Sequence, residues 1–95
     1  MSYGFIYETT NLINGKKYIG KRVRANYKDY DDKYLGRGTI IKNAIEKYGR
    51  ENFSRVILCE CDSEKELCDK EIYYIKLYNA VESPDYYNIS EVIFW

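Results

Sequence analysis

Apolar and polar residues alternate near the start of the chain, and this pattern predicts two β-strands. Within the stretch 3–9, the aromatic residues Tyr3, Phe5 and Tyr7 occupy alternate positions, which is the period of a strand with one buried face. Asn14-Gly15 follows, and both residues tolerate the positive φ of a hairpin turn. The stretch 17–21 returns as a second strand, so the chain opens with a β-hairpin that brings Tyr7 close to Tyr18.

A helical period comes next and ends at a glycine. Apolar residues recur every three or four positions from about Thr39 to Tyr48, and Gly49 stands where a glycine commonly ends a helix. The predicted apolar stripe consists of Ile40, Ile41, Ala44, Ile45 and Tyr48. Residues 21–37, between the hairpin and this helix, have no clear period and are interpreted as a long loop.

A third strand and a second helix complete the pattern. Phe53–Cys61 is apolar at its centre, and Ser63 followed by Glu66 is a capping box that starts a helix running to about Tyr78. The order ββαβα predicts an α/β (α+β) domain, in which a small three-stranded, mainly antiparallel sheet is flanked by helices. With 95 residues, we expect one domain over positions 1–95.

Composition excludes several classes of protein. The chain has three cysteines and no histidine, which disfavours a zinc site and favours buried, reduced thiols. It contains neither a membrane-length apolar run nor a signal peptide, and we therefore expect a cytoplasmic protein without a membrane partner.

Charge is divided between the two halves of a chain whose net charge is zero. Residues 1–50 carry eleven Lys or Arg against five Asp or Glu, and residues 51–95 carry four against ten. This division is either chance segregation of surface charge or the mark of a domain whose N-terminal half faces a polyanion.

Glu71 interrupts the apolar stripe of the last helix. Leu67, Tyr74, Ile75 and Tyr78 share one helical face, and Glu71 stands within it. A buried carboxylate is costly unless it is paired or ligates a cation. A cation such as Arg22 or Lys42 could neutralise it, it could bind a metal in a cleft, or its head could reach water at the edge of the stripe.

Tyr7 and Tyr18 form a second anomaly, because both lie near glycines and a basic run that includes Lys21 and Arg22. Two phenols beside clustered cations could act on a phosphate or on a water molecule. They could equally be a cross-strand aromatic pair that only stabilises the hairpin.

Together these segments resemble the GIY-YIG nuclease family. Gly4–Tyr7 and Tyr18–Gly20 look like the two halves of its signature, with Phe5 as an extra residue in the first half. Residues 34–38 and 47–53 are similar to stretches found in phage and bacterial homing endonucleases of this family.

Glu71 and Asn88 stand where this family has its metal-binding glutamate and an asparagine. The resemblance implies a GIY-YIG nuclease fold and metal-dependent cleavage of double-stranded DNA, with Mg²⁺ or Mn²⁺ bound by Glu71. It also implies that Tyr7 is the candidate general base, that Tyr18 orients the water or the phosphate, and that Asn88 supports the site.

The phosphate-binding arginine departs from the family pattern, because Lys28 occupies the position that the family uses. Arg22 is the first candidate, because it lies near both tyrosines, and Arg24 and Arg37 are alternatives. Lys21 or Lys28 could replace the histidine that many relatives have in this region.

Two functions follow from the resemblance. The first is the catalytic module of a homing or mobile-element endonuclease, and the second is a DNA-binding or regulatory module that keeps the fold without efficient catalysis. No base-reading motif is visible, so we expect a separate DNA-binding domain or a dimer partner to assist it.

Overall fold

Strand β1, Gly4–Asn11, forms the centre of the sheet because its residues are buried on both faces. It pairs antiparallel with β2, Lys17–Val23, on one side and with β3, Phe53–Cys61, on the other. The fold was analysed in a computed structural model that describes residues 3–23, 35–36 and 38–88.

Two helices cover opposite faces of this sheet. Helix α1, Thr39–Tyr48, packs through Ile41 and Ala44 on the face that carries Phe5 and Tyr7. Helix α2, Glu64–Leu77, packs through Leu67 and Ile75 on the face that carries Ile6 and Ile19. A short 3₁₀ turn, Arg50–Asn52, joins α1 to β3. The predicted α/β architecture with a three-stranded antiparallel sheet is therefore confirmed.

The predicted element bounds differ from the observed ones mainly at the first two strands. Strand β2 continues two residues beyond its predicted end at residue 21, through Arg22 and Val23, because it stays paired with β1 until Val23 lies opposite Gly4. Of the predicted loop, residues 24–34 and 37 lie outside the described residues. At the hairpin turn Gly15 has a φ of 78°, whereas the Asn14 side chain accepts a hydrogen bond from the Lys16 backbone N–H.

The predicted apolar stripes are each too wide by one residue. Ile40 is 44% exposed and Tyr78 is 40% exposed, although both were predicted to face the core. Each stands at the margin of its helix, where a small sheet offers no further surface to cover. Glu71, by contrast, is buried between Leu67 and Ile75 on α2.

All three cysteines are free thiols. The Cys59 and Cys61 sulfurs lie 3.8 Å apart on β3. Burial, followed by the neighbouring Cys59, raises the pKa of the Cys61 thiol to about 12, so this thiol stays protonated and packs as a small apolar group. In the described part of the chain, neither helix is long and apolar enough to span a membrane.

Candidate active site

Tyr7 extends from the central strand across the edge strand β2. It stands opposite Gly20 in the register, and a β-carbon at Gly20 would lie 2.5 Å from the Tyr7 Cζ and still closer to its hydroxyl oxygen. Only a glycine lets the end of the phenol ring lie directly on the β2 backbone. The ring is 1% exposed, so Gly20 fixes its position closely.

Tyr18 lies next to Tyr7 on the same face of the sheet, but the two are diagonal neighbours and not a directly opposed pair. Tyr18 is opposite Thr9, and the two phenol rings have centroids 6.3 Å apart at 34°. Thr9 also binds the residues just before helix α1, because its hydroxyl donates a hydrogen bond to the Leu35 carbonyl at 2.7 Å.

Glycines let the entry to α1 approach the Tyr18 ring. A β-carbon at Gly36 would lie 3.1 Å from Tyr18 Cε2, and one at Gly38 would lie 3.8 Å from the Tyr18 hydroxyl. Gly38 is also the N-cap of α1, which has no side-chain cap and no acidic residue in its first turn. The Tyr18 hydroxyl therefore lies near the positive end of a helix dipole, where an anion is stabilised.

Glu71 reaches the same strand from the opposite face. Its Oε1 lies 3.9 Å from the Nζ of Lys21, and its side chain is only 10% exposed. Lys21 Nζ also lies 3.2 Å from Cys68 Sγ, one helical turn before Glu71. The sequence had suggested Arg22 or Lys42 as the cation beside Glu71. The structure places Lys21 beside Glu71, because alternation along β2 turns its side chain towards α2, whereas Lys42 lies on α1 in the other layer.

Asn88 binds the backbone of β2 from the outer edge of the sheet. Its Oδ1 accepts from the Ile19 N–H at 2.9 Å, and its Nδ2 donates to the Ile19 carbonyl at 2.8 Å. Two residues earlier, Tyr86 pairs with Lys17 in a parallel bridge. The Asn88 amide thus continues this short pairing and fixes the residue between Tyr18 and Gly20.

Replacing Asn88 with alanine is expected to lower the free energy of unfolding by about 2–4 kcal/mol, because it leaves a buried N–H and a buried C=O without their partner. Asn88→Asp keeps the volume and one acceptor but loses the donor, and it should be destabilised similarly. Urea unfolding measures both, with Asn43→Ala on the exposed side of α1 as the control. An Asn88→Ala midpoint equal to that of the wild type would contradict this account.

These contacts meet on four consecutive residues, Tyr18–Lys21, which we call the β2 segment. The first member is a candidate catalytic phenol, and Gly20 carries the end of Tyr7. Ile19 is bound by Asn88, and Lys21 contacts Glu71. Successive side chains of a strand point to opposite faces of the sheet. The β2 segment therefore contacts residues from both the α1 side and the α2 side of the sheet.

Among the arginine candidates, the structure describes Arg22 only. It is half-buried opposite Phe5 at the end of β2, and alternation along the strand puts it on the face of Tyr18. Arg24, Lys28 and Arg37 lie outside the described residues.

The sequence analysis missed Arg55 of β3. Its guanidinium carbon lies 5.7 Å from the Tyr7 ring centroid and 5.2 Å from that of Phe5. A cation on these ring faces helps to hold Tyr7 in place. The sequence did hold a signal for Arg55: it is a single arginine in an apolar strand, at a position where alternation turns the side chain inward.

The ligand set suits a cation that takes most of its ligands from solvent and substrate. Within the ranges that the structure describes, no group of three or more His, Cys, Asp and Glu side chains could hold a metal. Glu71 supplies a hard carboxylate that is 10% exposed and lies beside the half-buried Lys21. One carboxylate with water and phosphate oxygens matches the coordination of Mg²⁺ and does not match a structural zinc site.

Comparison with known proteins agrees with this geometry. A family model described as "Putative endonuclease segE, GIY-YIG domain" matches residues 1–90. A relative from Enterobacteria phage T4, described as "Putative endonuclease segE", is 49% identical over 89 residues, which cover 92% of this chain and 40% of the relative. The chain therefore spans about two-fifths of the length of that relative.

Solved structures of the catalytic domain of the intron endonuclease I-TevI have a similar fold. A variant of that domain superposes with a TM-score of 0.68 at 23% identity, covering 97% of this chain and 98% of the other. A second structure of the domain, described as that of a homing endonuclease, has a TM-score of 0.62 at 27% identity and covers 92% and 98%. With the family model matching nearly its whole length, the chain belongs to the SegE-type GIY-YIG endonuclease domain family.

Proposed function

We propose that this domain hydrolyses phosphodiester bonds in double-stranded DNA with the help of one divalent cation bound by Glu71. The convergence at the β2 segment carries this proposal. Two phenols reach it from one face and a buried carboxylate with its ammonium partner reaches it from the other. A buried ion pair adds little net stability to a fold compared with apolar residues, which favours a functional role for Glu71.

Each side chain has a proposed task. Mg²⁺, or Mn²⁺ in its place, would supply charge stabilisation at the phosphate and the leaving oxygen. Tyr7 acts as the general base for the attacking water, and Tyr18 orients that water or the phosphate beside the α1 N-terminus. Arg22 binds the phosphate, with Arg24 and Arg37 as alternatives. Asn88 is a positioning residue, since both of its amide atoms bind the Ile19 backbone.

The DNA-binding surface is proposed to include Lys21 and Lys28, which belong to the basic half of the chain. Because the segE relative is more than twice as long as this chain, we infer that a separate DNA-binding domain or a dimer partner provides sequence specificity. The similar I-TevI structures are described as those of an intron endonuclease and a homing endonuclease, which favours a homing or mobile-element endonuclease. We infer a cytoplasmic location, which agrees with a DNA substrate and three free thiols.

Nicking of supercoiled plasmid at low salt tests the proposal. We expect relaxed plasmid to accumulate with Mg²⁺ or Mn²⁺ and not with EDTA, because a single site cuts one strand at each visit. Gel-shift binding of the same plasmid is measured in parallel. Binding without any nicking at high protein concentration would reject the nuclease and favour a DNA-binding module that has lost catalysis.

A further inference from the structure

The ammonium of Lys21 stands at the carboxylate of Glu71. The Nζ to Oε1 distance is 3.9 Å, and the two side chains are 35% and 10% exposed. The same Nζ is 3.2 Å from the Cys68 sulfur. Lys21 therefore bridges two positions three residues apart on α2, and it does so from the strand that carries Tyr18.

The ammonium of Lys21 offsets the free-energy cost of burying the Glu71 carboxylate. An ionised carboxylate on the apolar face of α2 is stable only with a counter-charge. Lys21 can supply that charge because it is the residue of the β2 segment that faces α2 and lies beside Cys68 and Glu71. The ammonium is a compact charge on a flexible side chain. Because the Lys21 side chain is 35% exposed, the ammonium can move away from Glu71 towards solvent.

We propose that Lys21 is the resident counter-ion of Glu71, and that a divalent cation binds by displacing its ammonium from the carboxylate. This inference rests on the proposed metal role of Glu71. The displaced ammonium stays close to the β2 segment, where it can meet a DNA phosphate. Lys21 thus limits the affinity for the metal when DNA is absent, and it keeps the buried carboxylate neutralised until a metal arrives.

The affinity for Mn²⁺ in the absence of DNA tests this competition. Free Mn²⁺ is measured by electron paramagnetic resonance in titrations of the wild type and of variants. Lys21→Gln removes the competing charge and is expected to bind Mn²⁺ about three- to tenfold more tightly. Lys21→Arg keeps the charge and should bind like the wild type.

Lys17→Gln is the matched control. Lys17 belongs to the same strand and has a similar ion pair, with Nζ 3.7 Å from Glu8 Oε1, but it faces no proposed ligand. Its Mn²⁺ affinity should stay within about twofold of the wild type. The rise in Tm on adding Mn²⁺ is a second measurement, and it should be larger in Lys21→Gln than in the wild type.

Three results would overturn the inference, and the first two concern the lysine variants. One is an unchanged or weaker Mn²⁺ affinity in folded Lys21→Gln, and the other is the same tightening in Lys17→Gln, which would indicate a general effect of net charge. Glu71→Gln shows whether the metal binds at Glu71 at all. If its Mn²⁺ affinity equals that of the wild type, the counter-ion inference fails, whereas metal-dependent plasmid nicking would still support the nuclease.

Discussion

Replacing Glu71 with glutamine is expected to lower the initial rate of plasmid nicking by at least about 100-fold, since it removes the proposed carboxylate ligand for the cation. Glutamine has nearly the same shape, and the side chain is buried between Leu67 and Ile75. The fold should therefore persist, with an unchanged far-UV circular dichroism spectrum. Gel electrophoresis of the relaxed product over time measures the rate.

Asp69→Asn provides the control for this result. Asp69 is a carboxylate on the same helix, but it is exposed and paired with Lys65 at 2.8 Å. Its amide variant should nick at the rate of the wild type. A Glu71→Gln protein that retained a tenth or more of the wild-type rate would exclude Glu71 as the essential metal ligand.

Replacing Gly20 with alanine is expected to affect both stability and catalysis. The new methyl group would overlap the end of the Tyr7 ring, and the ring has no free space because it is 1% exposed. Overpacking of this kind costs about 1–3 kcal/mol. A displacement of about 1 Å at a catalytic group can cost about 100-fold in rate. We therefore expect a lower urea midpoint together with a nicking rate at least tenfold lower.

Gly15→Ala separates these two effects. Gly15 has a φ of 78°, and a β-carbon there would meet no atom within 4 Å. Alanine at this position strains the backbone by about 1 kcal/mol but does not touch the tyrosines. Its nicking rate at a temperature where both variants are folded should equal that of the wild type. If Gly20→Ala also nicked at the wild-type rate, the position of the Tyr7 ring would not matter for catalysis.

The local elements were predictable wherever the chain has its own start and stop signals. Helix α1 has the predicted bounds, because its apolar period ends at Gly49, whose N–H bonds to the Ile45 carbonyl. The capping box at the start of α2 was also predictable, since the Ser63 hydroxyl accepts from the Glu66 N–H at 3.1 Å. The length of β2 was not, because its pairing with β1 determines where it ends.

The candidate site was predictable as a set of residue types but not as an arrangement. Helical periodicity placed Glu71 on the apolar stripe, and left open whether its carboxylate is buried or reaches water. The identity of its cation was not predictable, because this depends on how α2 crosses β2 and on which β2 residue faces it. The partner of Asn88 was equally hidden, since 69 positions separate Asn88 from Ile19. Contacts of this kind arise from tertiary packing and leave no pattern in the local sequence.

The position of Asn88 also has a consequence for biosynthesis. The hairpin with both phenols is synthesised first, and α2 is synthesised much later. The amide of Asn88, which binds the Ile19 backbone, belongs to the end of the described residues. The local hairpin pairing needs only residues near each other in the chain, whereas the contact between Asn88 and Ile19 must wait for residue 88. A candidate site assembled in this order gains its full geometry only after residue 88 has been synthesised.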